Sequence, residues 1–389
     1  STCGSYNSCI ASCVSPPAEV CGNLIDEDCS GGDLSCQQNV TGIIFEDDFD
    51  KQADWSPRQL TSGSVDCLSW GGCAGPHSPQ GYDGYRLARS YYSNPGNNTI
   101  NIDSTNYKGS NLGKGFTFWS ESCTGCGWAS DGLLFIKLAE PDSGYDELYT
   151  RFFMKMDPKW KWGNQYSSRT NPSDPAQKMF RYGHYDGELP GQTSTFDGQT
   201  GRFGPVGLID FSVGNDGIGE FKIEADPRTE VDPINGFDPD KSFLWENGDL
   251  FGQDCDASCS GGGGTFYIKD GNGIPQNWNS NCNSGECPNG MPNNGDWHSY
   301  ELNVKLNSKC NATDGIFRLW YDGELVVNIT TFSWNGPNCA MPRKKWNYFI
   351  IGGNNDNPAI DPATGSEQYY AIDDIVVSTE YIGPDYVIP

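Results

Sequence analysis

The chain has 389 residues, 51 of them acidic against 25 basic, and a net charge of −26. That balance excludes a nucleic-acid partner, which needs basic surface to displace counterions, and it disfavours anionic membranes. No apolar run approaches the ~18 residues of a transmembrane helix, so no membrane insertion is expected.

The chain opens at Ser1 without an apolar leader, as a mature secreted chain would. Residues 1–41 hold six of the sixteen cysteines and almost no hydrophobic pattern, so they are expected to form a small stapled module. Cysteines this numerous read as disulfides made in an oxidising compartment, which places the protein outside the cell, secreted or at its surface. Within the module lies CGNLIDEDCSGGD, residues 21–33. Asp26, Asp28 and Ser30 alternate, Asp33 follows three positions on, and Asn23 adds a further oxygen. A tight loop of this kind can gather oxygens around Ca²⁺, a hard cation wanting about 6–8 of them. Four Asn-x-Thr sequons, at Asn39, Asn97, Asn311 and Asn328, mark surface positions open to glycosylation.

Residues 42–389 alternate between short apolar runs and loops rich in Gly, Asn, Pro and Ser. Strands are expected at 43–49, 133–138, 146–156, 207–213, 219–225, 299–306, 316–321, 324–329, 347–352 and 369–378. In 300–307, Tyr300, Leu302, Val304 and Leu306 face one way and Glu301, Asn303 and Lys305 the other, the pattern of a half-buried antiparallel strand. Residues 227–296 carry Gly261–Gly264 and four cysteines, and read as a disulfide-pinned insertion. Many short strands with turn-rich links predict an all-β sandwich or jelly roll.

Several segments, in order, carry a resemblance: FEDDFD (45–50), ELYTRFFMKMD (147–157), QKMFRYGHYDG (177–187), WHSYELNVKLN (297–307), DGIFRLWYDGELV (314–326) and YYAIDDIVVSTEYIG (369–383). Together they resemble the concanavalin A-like lectin/glucanase superfamily, in the branch that contains jelly-roll polysaccharide lyases. The resemblance implies a concanavalin A-like jelly roll over residues 42–389. It leaves activity open, because this fold hosts lectins, hydrolases, lyases and structural modules. The acidic loop at 21–33 is similar to a metal-binding motif of secreted multidomain proteins, usually written CGNGIDEDCDGxD, with Ser30 standing where the motif has Asp.

Three functions compete. A lyase acting on a uronic-acid polymer must neutralise the uronate carboxylate and move the C5 proton. Lys178, Tyr182 and His184 fall on one alternation in KMFRYGH, and Arg151 shares a face with Lys155, Tyr149 and Phe153. If both faces line one groove, those parts make a site. Sugar binding without chemistry would use rings such as Trp160 and Trp162. The third function is structural: one copy's N-terminal arm or its terminal GPDYVIP would dock on the next copy and build a filament. The sequence favours this last reading, a secreted calcium-binding glycoprotein and non-catalytic structural subunit that self-assembles and binds glycans. The lyase is the alternative.

Overall fold

The computed structural model describes residues 40–57, 65–68, 77–88, 99–109, 113–120, 129–140, 143–158, 176–184, 205, 207–213, 219–225, 264–266, 295–310, 312, 314–332, 334, 343–355 and 368–389. Sixteen strands run through them: β1 (Ile43–Asp47), β2 (Val65–Leu68), β3 (Gly84–Ala88), β4 (Ile100–Asp103), β5 (Gly115–Ser120), β6 (Ala129–Lys137), β7 (Glu147–Met156), β8 (Ala176–Gly183), β9 (Gly207–Val213), β10 (Gly219–Ala225), β11 (Gly264–Phe266), β12 (His298–Lys305), β13 (Gly315–Tyr321), β14 (Glu324–Phe332), β15 (Tyr348–Asn355) and β16 (Gln368–Ser378). The described residues contain no helix, and so none that could cross a membrane.

The strands form two sheets of eight. The first runs β14-β13-β12-β7-β16-β5-β4, with β1 also paired to β16; the second runs β11-β10-β9-β8-β15-β6-β3-β2. Every pairing is antiparallel. The result is an all-β sandwich consistent with a jelly roll.

Period-two alternation decides what each sheet hides. Along β7, Leu148, Phe152, Met154 and Met156 are buried in the core, and along β12 Tyr300, Leu302 and Val304 join them. From the second sheet come Phe180 and Tyr182 of β8, Phe349 and Ile351 of β15, and Leu134 and Ile136 of β6. The sheets meet ring on ring: Phe152 lies 4.1 Å from Phe180, centroid to centroid. Between β13 and β14, Asp322 and Gly323 both take positive φ (47° and 81°), as a two-residue hairpin turn with right-handed twist requires.

Several expectations change. Strands β4 and β5 escape a hydrophobic scan because they are short and lie among Asn, Gly and Ser. Strand β11 falls inside the 227–296 insertion and pairs with β10; the rest of that insertion, up to Gly295, lies outside the described residues. Strand β12 is covered on both faces rather than one, since Glu301 and Asn303 are buried as well. The cover over Glu301 is the C-terminal segment. After β16 the chain crosses the outer face of the first sheet, where Ile382 and Gly383 each donate a backbone N–H to Glu301 at 2.7 Å. Tyr386 donates its hydroxyl to Glu46 at 2.9 Å, and Lys51 reaches the Pro389 carbonyl. The GPDYVIP segment, expected to dock on a neighbouring copy, thus lies as a strap across its own sheet.

Candidate functional site

The expected lyase residues do not come together. Tyr182 is buried in the core between the sheets, against Trp346 and Phe349, with Thr150 of the facing sheet beside its hydroxyl. Desolvation pushes its phenol far above the ordinary tyrosine range. Arg151 points the other way, out of the first sheet and under the strap. It donates to the Tyr386 carbonyl at 2.8 Å, and its guanidinium lies over the rings of Phe153 (5.0 Å) and Tyr386 (5.8 Å). A whole sheet therefore separates Tyr182 from Arg151. The physical reason is alternation: β7 turns its odd positions outward, while β8 turns Phe180 and Tyr182 inward. His184 sits one residue beyond β8, buried, with Nδ1 2.8 Å from the Lys345 carbonyl. Lys178 pairs with Asp210 of β9, and a register shift between Lys178 and Phe180 breaks the alternation that was to align it with Tyr182.

The remaining expected positions divide simply. Asn23, Asp26, Asp28, Ser30, Asp33, Trp160, Trp162, Asn39, Asn97 and Asn311 lie outside the described residues. Asn328 is exposed on β14 and accepts a hydrogen bond from Arg318 Nε at 3.0 Å. Cys310 is disulfide-bonded. No group of three metal-ligating side chains occurs among the described residues.

The outer face of the second sheet holds a different constellation. Leu133 and Phe135 of β6 and Tyr348 and Ile350 of β15 form a hydrophobic cluster separate from the core. Arg181 pairs directly with Ile350, so it stands on this face, between the inward Phe180 and Tyr182. Tyr348 pairs with Gly183 of β8 on one side and Lys137 of β6 on the other. Its hydroxyl end occupies the space a side chain at position 183 would need, so glycine there lets the phenol lie across β8 toward Arg181. Burial pushes the Tyr348 phenol up, and the Arg181 charge pulls it partly back. Both residues are almost fully buried, at 3% and 5% exposure.

Sequence reasoning missed this pair. It followed the even positions of β8 as the functional face. The signal against that was present: an arginine flanked by Phe180 and Tyr182 must point away from whatever the rings fill. Tyr348 carried no such signal, because YFII is apolar on both alternations.

No protein-family model matches the chain, and no curated protein matches it in sequence. Solved structures similar to it include an endo-β-1,4-glucuronan lyase from the fungus Trichoderma reesei, 11% identical over 84% of this chain and 99% of that one, with a TM-score of 0.41. A marine PL-14 alginate lyase from Aplysia kurodai is also 11% identical, over 83% of this chain and 100% of that one, at 0.42. A structure reported for endo-acting O-glycanases of human gut bacteria is 10% identical, over 87% and 100%, at 0.38. Many of the similar structures are polysaccharide lyases. The expectation of a non-catalytic structural subunit is corrected accordingly, in favour of its alternative. At these similarities the likeness places no residue, so activity must be argued from the side chains.

Proposed function

We propose that the chain is a polysaccharide lyase that cleaves a uronic-acid-containing polymer by β-elimination. The observation that carries this reading is the juxtaposition of Arg181 and Tyr348 on the outer face of the second sheet, buried to 5% and 3% exposure, so that a polymer reaches them only by displacing the groups that cover them. Arg181 would pair with the uronate carboxylate and stabilise the charge that builds there as the C5 proton leaves. The C5 proton passes to a general base or to water. The C5–H electron pair then forms the C4–C5 double bond, and the C4–O bond breaks. Tyr348, kept protonated by burial, would give its proton to the departing oxygen.

The products carry an unsaturated uronate that absorbs in the near ultraviolet. The test is absorbance during incubation with polyglucuronate, polymannuronate and polyguluronate, first with the full chain and then with Arg181→Ala and Tyr348→Phe. A rise with the parent that both variants lose supports the assignment. No rise with any of the three polymers sinks it for polyuronides.

A further inference from the structure

Away from the strap, the outer face of the first sheet carries a second set of side chains. Trp297 just precedes β12, Lys155 lies on β7, Tyr369 on β16 and Trp119 on β5. The Lys155 ammonium sits over two rings, 5.2 Å from the Trp297 centroid and 5.9 Å from that of Tyr369. Tyr369 pairs across the ladder with Trp119, their centroids 5.2 Å apart. Trp119 is fixed in turn by its indole N–H, which donates to Asn101 at 2.6 Å. Beside these rings the sheet narrows to small residues, since Lys155 pairs with Ala371 and Ala371 with Thr117. The patch spreads over four neighbouring strands as a shallow trough only between the rings, since Ala371 and Thr117 beside them are fully buried. All four large side chains are half-buried, so they are held in place yet reach solvent.

One anion stands near this patch: the Asp157 carboxylate acts on both Lys155 and Tyr369. Lys155 makes no ion pair or hydrogen bond among the described residues, in a chain carrying a net charge of −26. The Trp297 indole and the Tyr369 hydroxyl likewise have no hydrogen-bond partner among the described residues. The other lysine over a ring on this face, Lys108, lies above Phe153 but is tied to Asp374 at 2.8 Å. Lys155 therefore feels Asp157 but is bonded to no carboxylate among the described residues, and its neighbours Trp297 and Tyr369 carry free donors.

We propose that this trough is a second, non-catalytic binding site for an acidic polysaccharide, with a uronate carboxylate paired to Lys155 and pyranose faces stacked on Trp297 and Tyr369. Rigid rings supply contact area at little entropic cost, and the single ammonium selects for a charged sugar over a neutral one. The site lies on the opposite sheet from Arg181 and Tyr348, so it holds the polymer without competing for the bond being broken. The inference stands whether or not the second sheet performs elimination.

The experiment is isothermal titration of oligoglucuronate and oligomannuronate into the full chain carrying Arg181→Ala, which disables the second-sheet site and prevents cleavage. A neutral glucan oligosaccharide serves as control. On that background Trp297→Ala and Lys155→Gln should each weaken acidic-sugar binding by about tenfold or more, equivalent to about 1.4 kcal/mol. Lys155→Gln keeps the stem and removes only the charge, so it covers the case in which Trp297→Ala disturbs the fold. Absence of acidic-sugar binding by the Arg181→Ala chain overturns the proposal. So does binding that Lys155→Gln leaves unchanged, or a neutral glucan bound as tightly as the uronates. Loss of near-ultraviolet product with the native chain, while this binding persists, would remove the lyase reading and leave the trough intact.

Discussion

Two arginines, one on each sheet, show how neighbours rather than residue type set a role. Arg151 and Arg181 both lie on a central strand, both point out of the sandwich, and both are buried. Arg151 is committed to structure: its Nη1 reaches the strap carbonyl of Tyr386, and its charge faces Glu301, which holds the strap's backbone. Its Nε and Nη2 find no hydrogen-bond acceptor, and the rings of Phe153 and Tyr386 receive its flat faces instead. Arg181 is set beside a phenol and an apolar cluster, and its charge acts on a group that can exchange a proton. The first arrangement locks a chain terminus; the second is the one proposed to do chemistry.

Substitution should separate the two. Arg151→Ala leaves Glu301 as a buried carboxylate facing no cation, and should cost about 3–5 kcal/mol of stability at pH 8, read by urea denaturation. The loss should shrink at pH 5, where Glu301 can take a proton. Activity per folded molecule should not change. Arg181→Lys keeps the charge but loses the planar fork that grips a carboxylate, and should lower kcat/KM by about 10²–10³ with a smaller effect on unfolding. Equal effects of both substitutions on both measurements would break the contrast.

The pH dependence of stability sharpens it further. Burial raises Glu301 to about 7, although Arg151 and two backbone N–H groups pull it down. Burial likewise raises Asp373, to about 8, against hydrogen bonds from the backbone N–H of Lys108 and Asp374. Both folded values exceed the unfolded ones, so between about pH 4 and 8 the unfolded chain binds fewer protons than the folded chain. The contribution of these groups is complete below the unfolded value and is lost as pH rises through 7 and then 8. Each should account for on the order of 1–3 kcal/mol across that window, given partial relaxation around the charge. Glu301→Gln and Asp373→Asn should each flatten the slope. They also weaken the fold modestly, because an amide offers one acceptor oxygen where two N–H groups need acceptors. A parent whose stability rises steadily from pH 5 to pH 8 would contradict both assignments.

How much of this could be read in advance depended on the range of the contacts. The alternation of Tyr300, Leu302 and Val304, and the Asp-Gly turn after Tyr321, are local, and the sequence displays them directly. Alternation along β7 also correctly grouped Tyr149, Arg151, Phe153 and Lys155. What it could not supply was the identity of the face. The strap that buries Arg151 and Glu301 belongs to a segment with no periodicity of its own, and Ile382 meets Glu301 across 81 positions of chain. On β8 the error was one of sign. Aromatic Tyr182 was taken for the outward residue and charged Arg181 was passed over, and the register shift after Lys178 hid the break in pattern. The site residue Tyr348 depends on Gly183 making room for its ring, a cross-strand relation with no signature in either segment alone.

The smallest effect expected is also the most discriminating about β8. Tyr182 and Tyr348 are both buried tyrosines of the second sheet, but they lie on opposite faces of it. Tyr182 Oη is enclosed between the sheets with no strong hydrogen bond, so Tyr182→Phe removes a hydroxyl that costs as much to bury as it returns. Stability should change by less than about 1 kcal/mol, and kcat by less than about twofold, because Phe fills the same volume against Trp346 and Phe349. Tyr348→Phe should lower kcat by about 10²–10⁴ with the fold intact, since only the proton donor is removed. Reversal of that order would put the chemistry between the sheets, where no polymer can enter, and would mean that β8 alternates opposite to the pairing described.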